Sequence, residues 1–309
     1  MISRTEIQDA GRRIGMHVRR TPVMGLEEKA LGIDAKIFLK LECLQHTGSF
    51  KPRGAFNCIL NSKIEKAGVI AASGGNHGAA VAYAANKLGH SAEIFVPMIT
   101  PKNKVDRLRH YGASITVTGN NYAEALAASR ERAAQTGAVA IHAYDDARVL
   151  AGQGTLGMEF EEQVRGLDSV LIAVGGGGLI GGVSSWYQER VRVIGVEPER
   201  APTLHKSLAA GRVVEVETGG VAADSLGARR VGDLMFPIAQ RFVSQTLLVS
   251  DEHIVEAQRI LWQQLRLIAE PGGATAFAAL LSGAYKPNAG ERVGVVLCGS
   301  NTELASFPA

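Results

Sequence analysis

The chain has 309 residues, enough for about two domains and for a core that needs no disulfide or metal staple. Apolar residues at 46% and charged residues at 20% exclude a disordered chain, and a net charge of +3 argues against a nucleic-acid or anionic-membrane partner, either of which calls for concentrated basic charge. Three cysteines (Cys43, Cys58, Cys298) without a CxxC pair exclude a disulfide framework and a cysteine-built metal site, and they fit a reduced cytoplasm.

Met1 to Ala10 is polar and lacks the apolar segment of a signal peptide. With Ser3 as N-cap, Ile7, Ile14 and Val18 predict a helix that ends before Thr21-Pro22. Lys36 to Leu41 alternates as a strand, and Val69 to Ala72 is a short buried strand followed by a helix over Ala79 to Leu88. Strands over Ile94 to Val96, Ser114 to Val117 and Val139 to Ala143 alternate with helices over Lys102 to Tyr111 and Tyr122 to Ala134. Val170 to Val174 is a strand, four glycines follow, and a helix runs to about Glu189. The charge-free stretch from Ser169 to Gln188 has the length of a membrane span, but its glycines break it into strand, loop and helix. Arg192 to Val196 is a strand, Glu252 to Ile268 and Ala274 to Leu281 are helices, and Val293 to Leu297 is the last strand. This alternation predicts an α/β fold of open, twisted, parallel-type sheets covered by helices on both faces. Gly68 to Asp145 reads as a compact four-strand unit inserted into a larger one.

Three small, polar loops directly follow predicted strands: Ser73-Gly74-Gly75-Asn76, Gly175 to Gly178, and Cys298-Gly299-Ser300-Asn301. Ligands of open α/β sheets bind at such carboxyl ends, so the three loops predict one ligand approached from several sides. Gly175, Gly176, Gly177 and Gly178 open a helix, where unhindered N–H groups cradle a phosphate; a tight turn alone needs fewer glycines. The run also contains G-x-G-x-x-G as Gly176, Gly178 and Gly181, and Glu197 ends the next strand where a ribose-binding acid falls. A nicotinamide-dinucleotide protein is therefore the alternative from a different class.

Lys51 lies in Thr47-Gly48-Ser49-Phe50-Lys51-Pro52-Arg53-Gly54, hemmed by Phe50 and Pro52. As a solvated surface lysine it has no function. As an amine of lowered pKa it forms Schiff bases, and with a phosphate loop it makes the minimum kit for pyridoxal phosphate. Ser73, Gly74, Gly75 and Asn76 at a helix start can bind a carboxylate or simply cap the helix. His77 alone reads as structural before it reads as catalytic, and Cys298 has the bland reading of a buried small apolar residue beside that of a neutral partner for a cofactor ring nitrogen.

Together these segments resemble the pyridoxal-phosphate-dependent threonine/serine dehydratase and serine racemase family, with the fold of the tryptophan synthase β-subunit (fold type II). The resemblance covers nearly the whole chain. It rests on Ser49-Phe50-Lys51-Pro52-Arg53-Gly54-Ala55, Ser73 to Gly78, Ala151-Gly152-Gln153-Gly154-Thr155, Gly175 to Gly178, Glu270-Pro271 and Cys298 to Asn301. It implies a large cofactor domain over 1–67 and 146–309 with a small mobile domain over 68–145. It implies Lys51 as the cofactor-bearing lysine and Cα proton shuttle, and Gly175 to Gly178 on the phosphate. Phe50 would pack on the cofactor ring, Asn76 would contact its phenolic oxygen, and Cys298 would face the pyridine nitrogen. Ser73, Gly74, Asn76 and His77 would bind the substrate carboxylate.

The implied activity is an ammonia-lyase that removes the β-hydroxyl of L-threonine or L-serine, giving a 2-oxo acid and ammonia, in a cytoplasmic homodimer. A neutral Cys298 opposite the ring nitrogen favours β-elimination over transamination. Alternatives are 3-hydroxyaspartate or phenylserine as substrate, and serine racemisation. Gly74 occupies the position where a racemase has a second acid/base, usually serine, which disfavours the last. Glu197 matches the glutamate of the family's cation site, but Thr203 stands where its aspartate would be. Tyr144 departs from a common small polar residue, leaving the substrate side chain open.

Overall fold

The computed structural model describes residues 1–27, 29–303 and 307–308. Ten strands are present among them: β1 (Val23–Gly25), β2 (Lys36–Lys40), β3 (Val69–Ala72), β4 (Ala92–Val96), β5 (Ser114–Val117), β6 (Val139–Ala140), β7 (Ser169–Ala173), β8 (Arg192–Pro198), β9 (Val243–Val249) and β10 (Arg292–Val296). The helices are α1 (Arg4–Ile14), α2 (Pro52–Leu60), α3 (Asn76–Lys87), α4 (Lys102–His110), α5 (Tyr122–Thr136), α6 (Ala147–Gln163), α7 (Gly178–Tyr187), α8 (Thr203–Ala210), α9 (Ala223–Leu226), α10 (Phe236–Phe242), α11 (Asp251–Leu265) and α12 (Pro271–Leu281). They build one sheet in the order β1-β2-β10-β7-β8-β9 and another in the order β5-β4-β3-β6.

All pairings are parallel except β1 with β2, which is antiparallel. The larger sheet is thus mixed, not purely parallel. Parallel strands with both faces covered read as continuous apolar runs. Every residue of β3 and β7 is buried, as their runs of Val, Ile, Leu and Ala predict; the one polar residue among them, Ser169 at the start of β7, donates its hydroxyl to Glu291. The edge strands β1 and β9 escape sequence reading for the opposite reason: both are half exposed, and their side chains are mixed.

Five helices also escape it: α2, α6, α8, α9 and α10. The start of α2 resembles a turn, Pro52-Arg53-Gly54, but Pro at the first helical position is pre-organised for a helix. Helix α6 carries Gly152, Gly154 and Gly157, which lower its propensity. Packing explains them: a Cβ on Gly152 would lie 2.5 Å from the Arg53 carbonyl oxygen, and one on Gly54 2.5 Å from Gln153 Nε2. Glycine lets α2 and α6 approach backbone to backbone. Of the predicted strand Val139 to Ala143 only β6 pairs, with β3. The helix predicted to Ile268 stops at Leu265, where Arg266 takes a left-handed φ of 57°.

One core cluster fills the larger sheet, centred on β7, β8, β10, α7 and α12. A second joins β3, β4 and α3 to Ile14, Ala55, Phe56, Cys58, Ile59 and Val149. The four-stranded sheet lies wholly inside residues 68–145, yet α2 completes its core. The lysine loop at the head of α2 is therefore held between the two sheets.

Candidate active site

The segment leading to Lys51 is shaped by its backbone. Thr47 and Gly48 adopt φ of 61° and 75°. Ser49 bridges to Gly299, and the Phe50 N–H donates to the Cys298 carbonyl at 3.1 Å, which pins the loop to the end of β10. Pro52 then starts α2 at once. The Lys51 amine donates to the Ala143 carbonyl at 2.9 Å and lies 5.1 Å from the centre of the Phe50 ring. Burial pushes this amine down to about 8, against the opposing influence of Cys298 and Glu270.

Gly175 to Gly178 join β7 to α7. Only Gly177 has a left-handed φ, 87°, so only one of the four is required by the turn. The others are required by their neighbours. A Cβ on Gly176 would lie 2.3 Å from the Tyr144 ring, one on Gly177 2.5 Å from Met235 Cε, one on Gly178 2.9 Å from Tyr144 Cβ, and one on Gly175 3.0 Å from Leu226 Cα. The result is a cradle of bare backbone at a helix N-terminus, suited to an anion.

Ser73 and Gly74 lie between β3 and α3, and α3 begins at Asn76, earlier than predicted. Ser73 Oγ accepts from the Gly75 N–H at 3.2 Å, and a Cβ on Gly74 would lie 2.9 Å from Thr100 Cγ2. Asn76 Nδ2 donates to Glu270 Oε1 at 2.6 Å, and its Oδ1 accepts from Asn301 Nδ2 at 2.6 Å. His77 is buried with Nε2 2.9 Å from the Ile141 carbonyl. Burial, reinforced by the Lys51 charge, pushes its imidazole down to about 3, so the ring is neutral and donates to that carbonyl. The part of His77 suited to a carboxylate is thus its main chain at the start of α3, not its ring.

Cys298 is buried and its thiol donates to the Gly272 carbonyl at 3.4 Å; burial pushes its pKa up and keeps it neutral. Glu270 is a site residue to which sequence reasoning gave no role. It is 4% exposed, burial pushes its carboxyl up to about 7, and it binds Asn76. The dipeptide Glu270-Pro271 marks the N-cap and first residue of α12. Nothing local shows that this cap faces α3.

Tyr144 ties the pieces together. Its ring packs on Gly176, its Cβ and Cα lie against Gly178, and the preceding carbonyl, that of Ala143, holds the Lys51 amine. Lys51, Asn76 and Cys298 thus converge with the glycine cradle at the carboxyl ends of strands from both sheets.

Glu197 lies elsewhere in function. Its two carboxylate oxygens accept the Leu204 and His205 N–H groups of α8, each at 2.7 Å, and burial pushes its pKa up to about 7. Thr203 Oγ1 donates to the Ala228 carbonyl at 2.9 Å. Among the described residues no cluster of three His, Cys, Asp or Glu side chains surrounds it. This donor set fits a helix cap and does not fit a cation, and the same engagement takes Glu197 away from a ribose hydroxyl.

A buried amine of low pKa beside an anion cradle at strand ends defines an α/β enzyme that works through a bound phosphorylated aldehyde. Residues 14–299 match the family described as pyridoxal-phosphate dependent enzyme, and the chain belongs to that family. It is 38% identical to the L-threonine ammonia-lyase of Geobacter sulfurreducens, over 99% of this chain and 77% of that one. It is 37% identical to the phenylserine dehydratase of Ralstonia pickettii, over 96% of this chain and 92% of that one. Among solved structures, maize serine racemase superposes with a TM-score of 0.94 at 34% identity, covering 99% of this chain and 95% of that one. The fold is that of fold type II. Pyridoxal phosphate is the family's cofactor, and the glycine loop, whose Cβ positions are already taken by Leu226, Tyr144 and Met235 so that bare backbone is left at the helix start, together with the Lys51 amine fits it.

Proposed function

We propose that the chain is an ammonia-lyase that removes the β-hydroxyl of L-threonine or L-serine and yields a 2-oxo acid and ammonia. The observation that carries this is the Lys51 amine, held by the Ala143 carbonyl with its pKa lowered to about 8, between the glycine cradle and the Asn76 loop. Lys51 holds the cofactor and then, as a neutral amine, takes the Cα proton of the substrate. Gly175 to Gly178 bind the phosphate with main-chain N–H groups. Ser73, Gly74, Asn76 and the start of α3 at His77 bind the substrate carboxylate, which places Cα against Lys51. Phe50 would pack against the cofactor, and Cys298 would offer its ring a neutral neighbour. The cofactor supplies the electron sink for the carbanion at Cα.

Closure of the 68–145 unit over the large domain would exclude water from the intermediate. The Lys104–Asp224 ion pair between α4 and α9 already bridges the two. We also propose a cytoplasmic homodimer. No helix among the described residues is long and apolar enough to cross a membrane.

The test is 2-oxo acid release from L-threonine by purified protein with pyridoxal phosphate. Release that is lost in Lys51→Ala supports the reading. A second reading, elimination from a bulkier substrate such as phenylserine, has the near-equal identity to the Ralstonia enzyme and the aromatic Tyr144 beside the cradle in its favour. Specificity constants across threonine, serine, 3-hydroxyaspartate and phenylserine separate the two.

A further inference from the structure

Arg53 stands two residues after Lys51 and has no part in the chemistry above. Its side chain is 1% exposed. The guanidinium forks onto Glu42, with Nε to Oε2 at 2.8 Å and Nη2 to Oε1 at 2.7 Å. Nη2 also donates to Glu159 Oε2 at 3.0 Å, and Nη1 to Thr155 Oγ1 at 3.3 Å. Lys40 completes a buried quartet by donating to Glu159 Oε1 at 2.5 Å, to the Thr21 carbonyl at 2.8 Å and to Gln163 Oε1 at 2.7 Å. The Thr21 hydroxyl donates to Glu42 Oε1 at 2.5 Å and its N–H to Glu159 Oε1 at 2.9 Å.

Two cations and two anions balance here, away from water. Desolvation cancels much of what such a group gains, so it is weak evidence for stability, and apolar packing would serve that end as well. Its geometry has another use. Lys40 ends β2 opposite Val296 of β10, and two residues beyond Val296 the Cys298 carbonyl holds the Phe50 N–H. Glu159 sits on α6, whose first residue, Ala147, follows shortly after Ala143, the acceptor of the Lys51 amine. One guanidinium therefore ties α2, which follows the donor of the Lys51–Ala143 hydrogen bond, to α6, whose start follows the acceptor. The glycine contacts between α2 and α6 bring the helices near enough for this, but only directional bonds set their register.

We propose that Arg53, through its fork onto Glu42 and Glu159, is the positioning residue for Lys51. The proposal rests on the reading of Lys51 as the cofactor-bearing lysine. A lysine at position 53 keeps the charge but cannot form the planar fork. Holoenzymes carrying Arg53→Lys and, separately, Glu159→Gln are compared with the parent for kcat and KM on L-threonine. The visible absorbance of the bound cofactor is followed against pH, and thermal unfolding is measured alongside. The expected result for Arg53→Lys is a kcat lower by about 10- to 100-fold, as follows from a misplacement near 1 Å, with KM changed by less than about threefold. The pH at which the cofactor band changes is expected to move in both variants.

A lower melting temperature with kcat and the absorbance profile unchanged assigns the quartet to folding alone and overturns the proposal. Glu159→Gln leaves the bidentate contact to Glu42 intact, so it decides the matter if Arg53→Lys does not fold. Borohydride reduction and peptide mapping of the parent test the underlying reading separately. Cofactor found on another residue removes that reading and the proposal with it, whereas cofactor on Lys51 with two silent variants overturns the proposal only.

Discussion

Reactivity of Lys51 toward pyridoxal phosphate is expected to depend on pH in a way that its burial dictates. A carbonyl is attacked by the neutral amine. At pH 7.5 an amine of pKa about 8 is about one quarter neutral, whereas an amine at the ordinary 10.5 is neutral in about one molecule per thousand. Burial therefore enriches the reactive form about 240-fold at that pH. Cofactor-stripped protein mixed with pyridoxal phosphate in a stopped-flow instrument, followed by visible absorbance from pH 6 to 10, reports this directly. The cofactor's own ionisations are divided out with a free amine of ordinary pKa. The capture rate should rise tenfold per unit at low pH and level off above about 8. Glu270 opposes the shift as a carboxylate, so Glu270→Gln should lower the Lys51 pKa further and speed capture. That gain appears only where the parent Glu270 is ionised, above about 7, and is bounded at about fourfold at pH 7.5, since a quarter neutral can only become wholly neutral. A rate still climbing tenfold per unit at pH 9, or capture by Lys51→Ala, would refute the reasoning.

Gly176→Ala places a Cβ 2.3 Å from the Tyr144 ring, so it should weaken pyridoxal phosphate binding by about tenfold or more in a fluorescence titration. Adding Tyr144→Ala should restore part of that loss, because the clashing ring is gone. Glu197 has a higher pKa folded than unfolded, so the stability it contributes is full below about 4.5 and is lost as pH rises through about 7. Glu197→Gln does not titrate and should show a smaller fall in melting temperature from pH 5 to 8 than the parent. L-Serine should yield 2-oxo acid without accumulation of D-serine on chiral chromatography if, as the resemblance implies, Gly74 stands where a racemase carries its second acid or base opposite Lys51. Comparable rates of the two products would contradict that reading of Gly74.

The sheets and the three strand-end loops were legible because each is written locally: a buried apolar run followed by small, polar residues. The same locality explains what was not. The acceptor of the Lys51 amine is a main-chain carbonyl 92 residues away, and carbonyls carry no sequence mark. Arg53 meets Glu159 across 106 residues, and Asn76 meets Glu270 across 194. Helix α6 hid behind three glycines whose reasons lie elsewhere in the chain: the backbone of α2 for Gly152, Ile7 and Gly182 for Gly154, and Val183 and Trp186 of α7 for Gly157.

Glu197 shows how a correctly spaced residue misleads. Its position at the end of β8 suits both a ribose-binding acid and a cation ligand, and the sequence cannot choose between uses of a strand-end carboxylate. The choice is made by what lies within reach. Helix α8 begins a few residues later behind Pro202, which has no side-chain oxygen to cap it. Its first-turn N–H groups need acceptors, and a buried start without them is costly. Glu197 supplies both oxygens at 2.7 Å. A carboxyl group so engaged must give up two hydrogen bonds before it can bind anything else. Where a strand leads into a helix that starts without its own cap, the acid at the strand end serves the helix first.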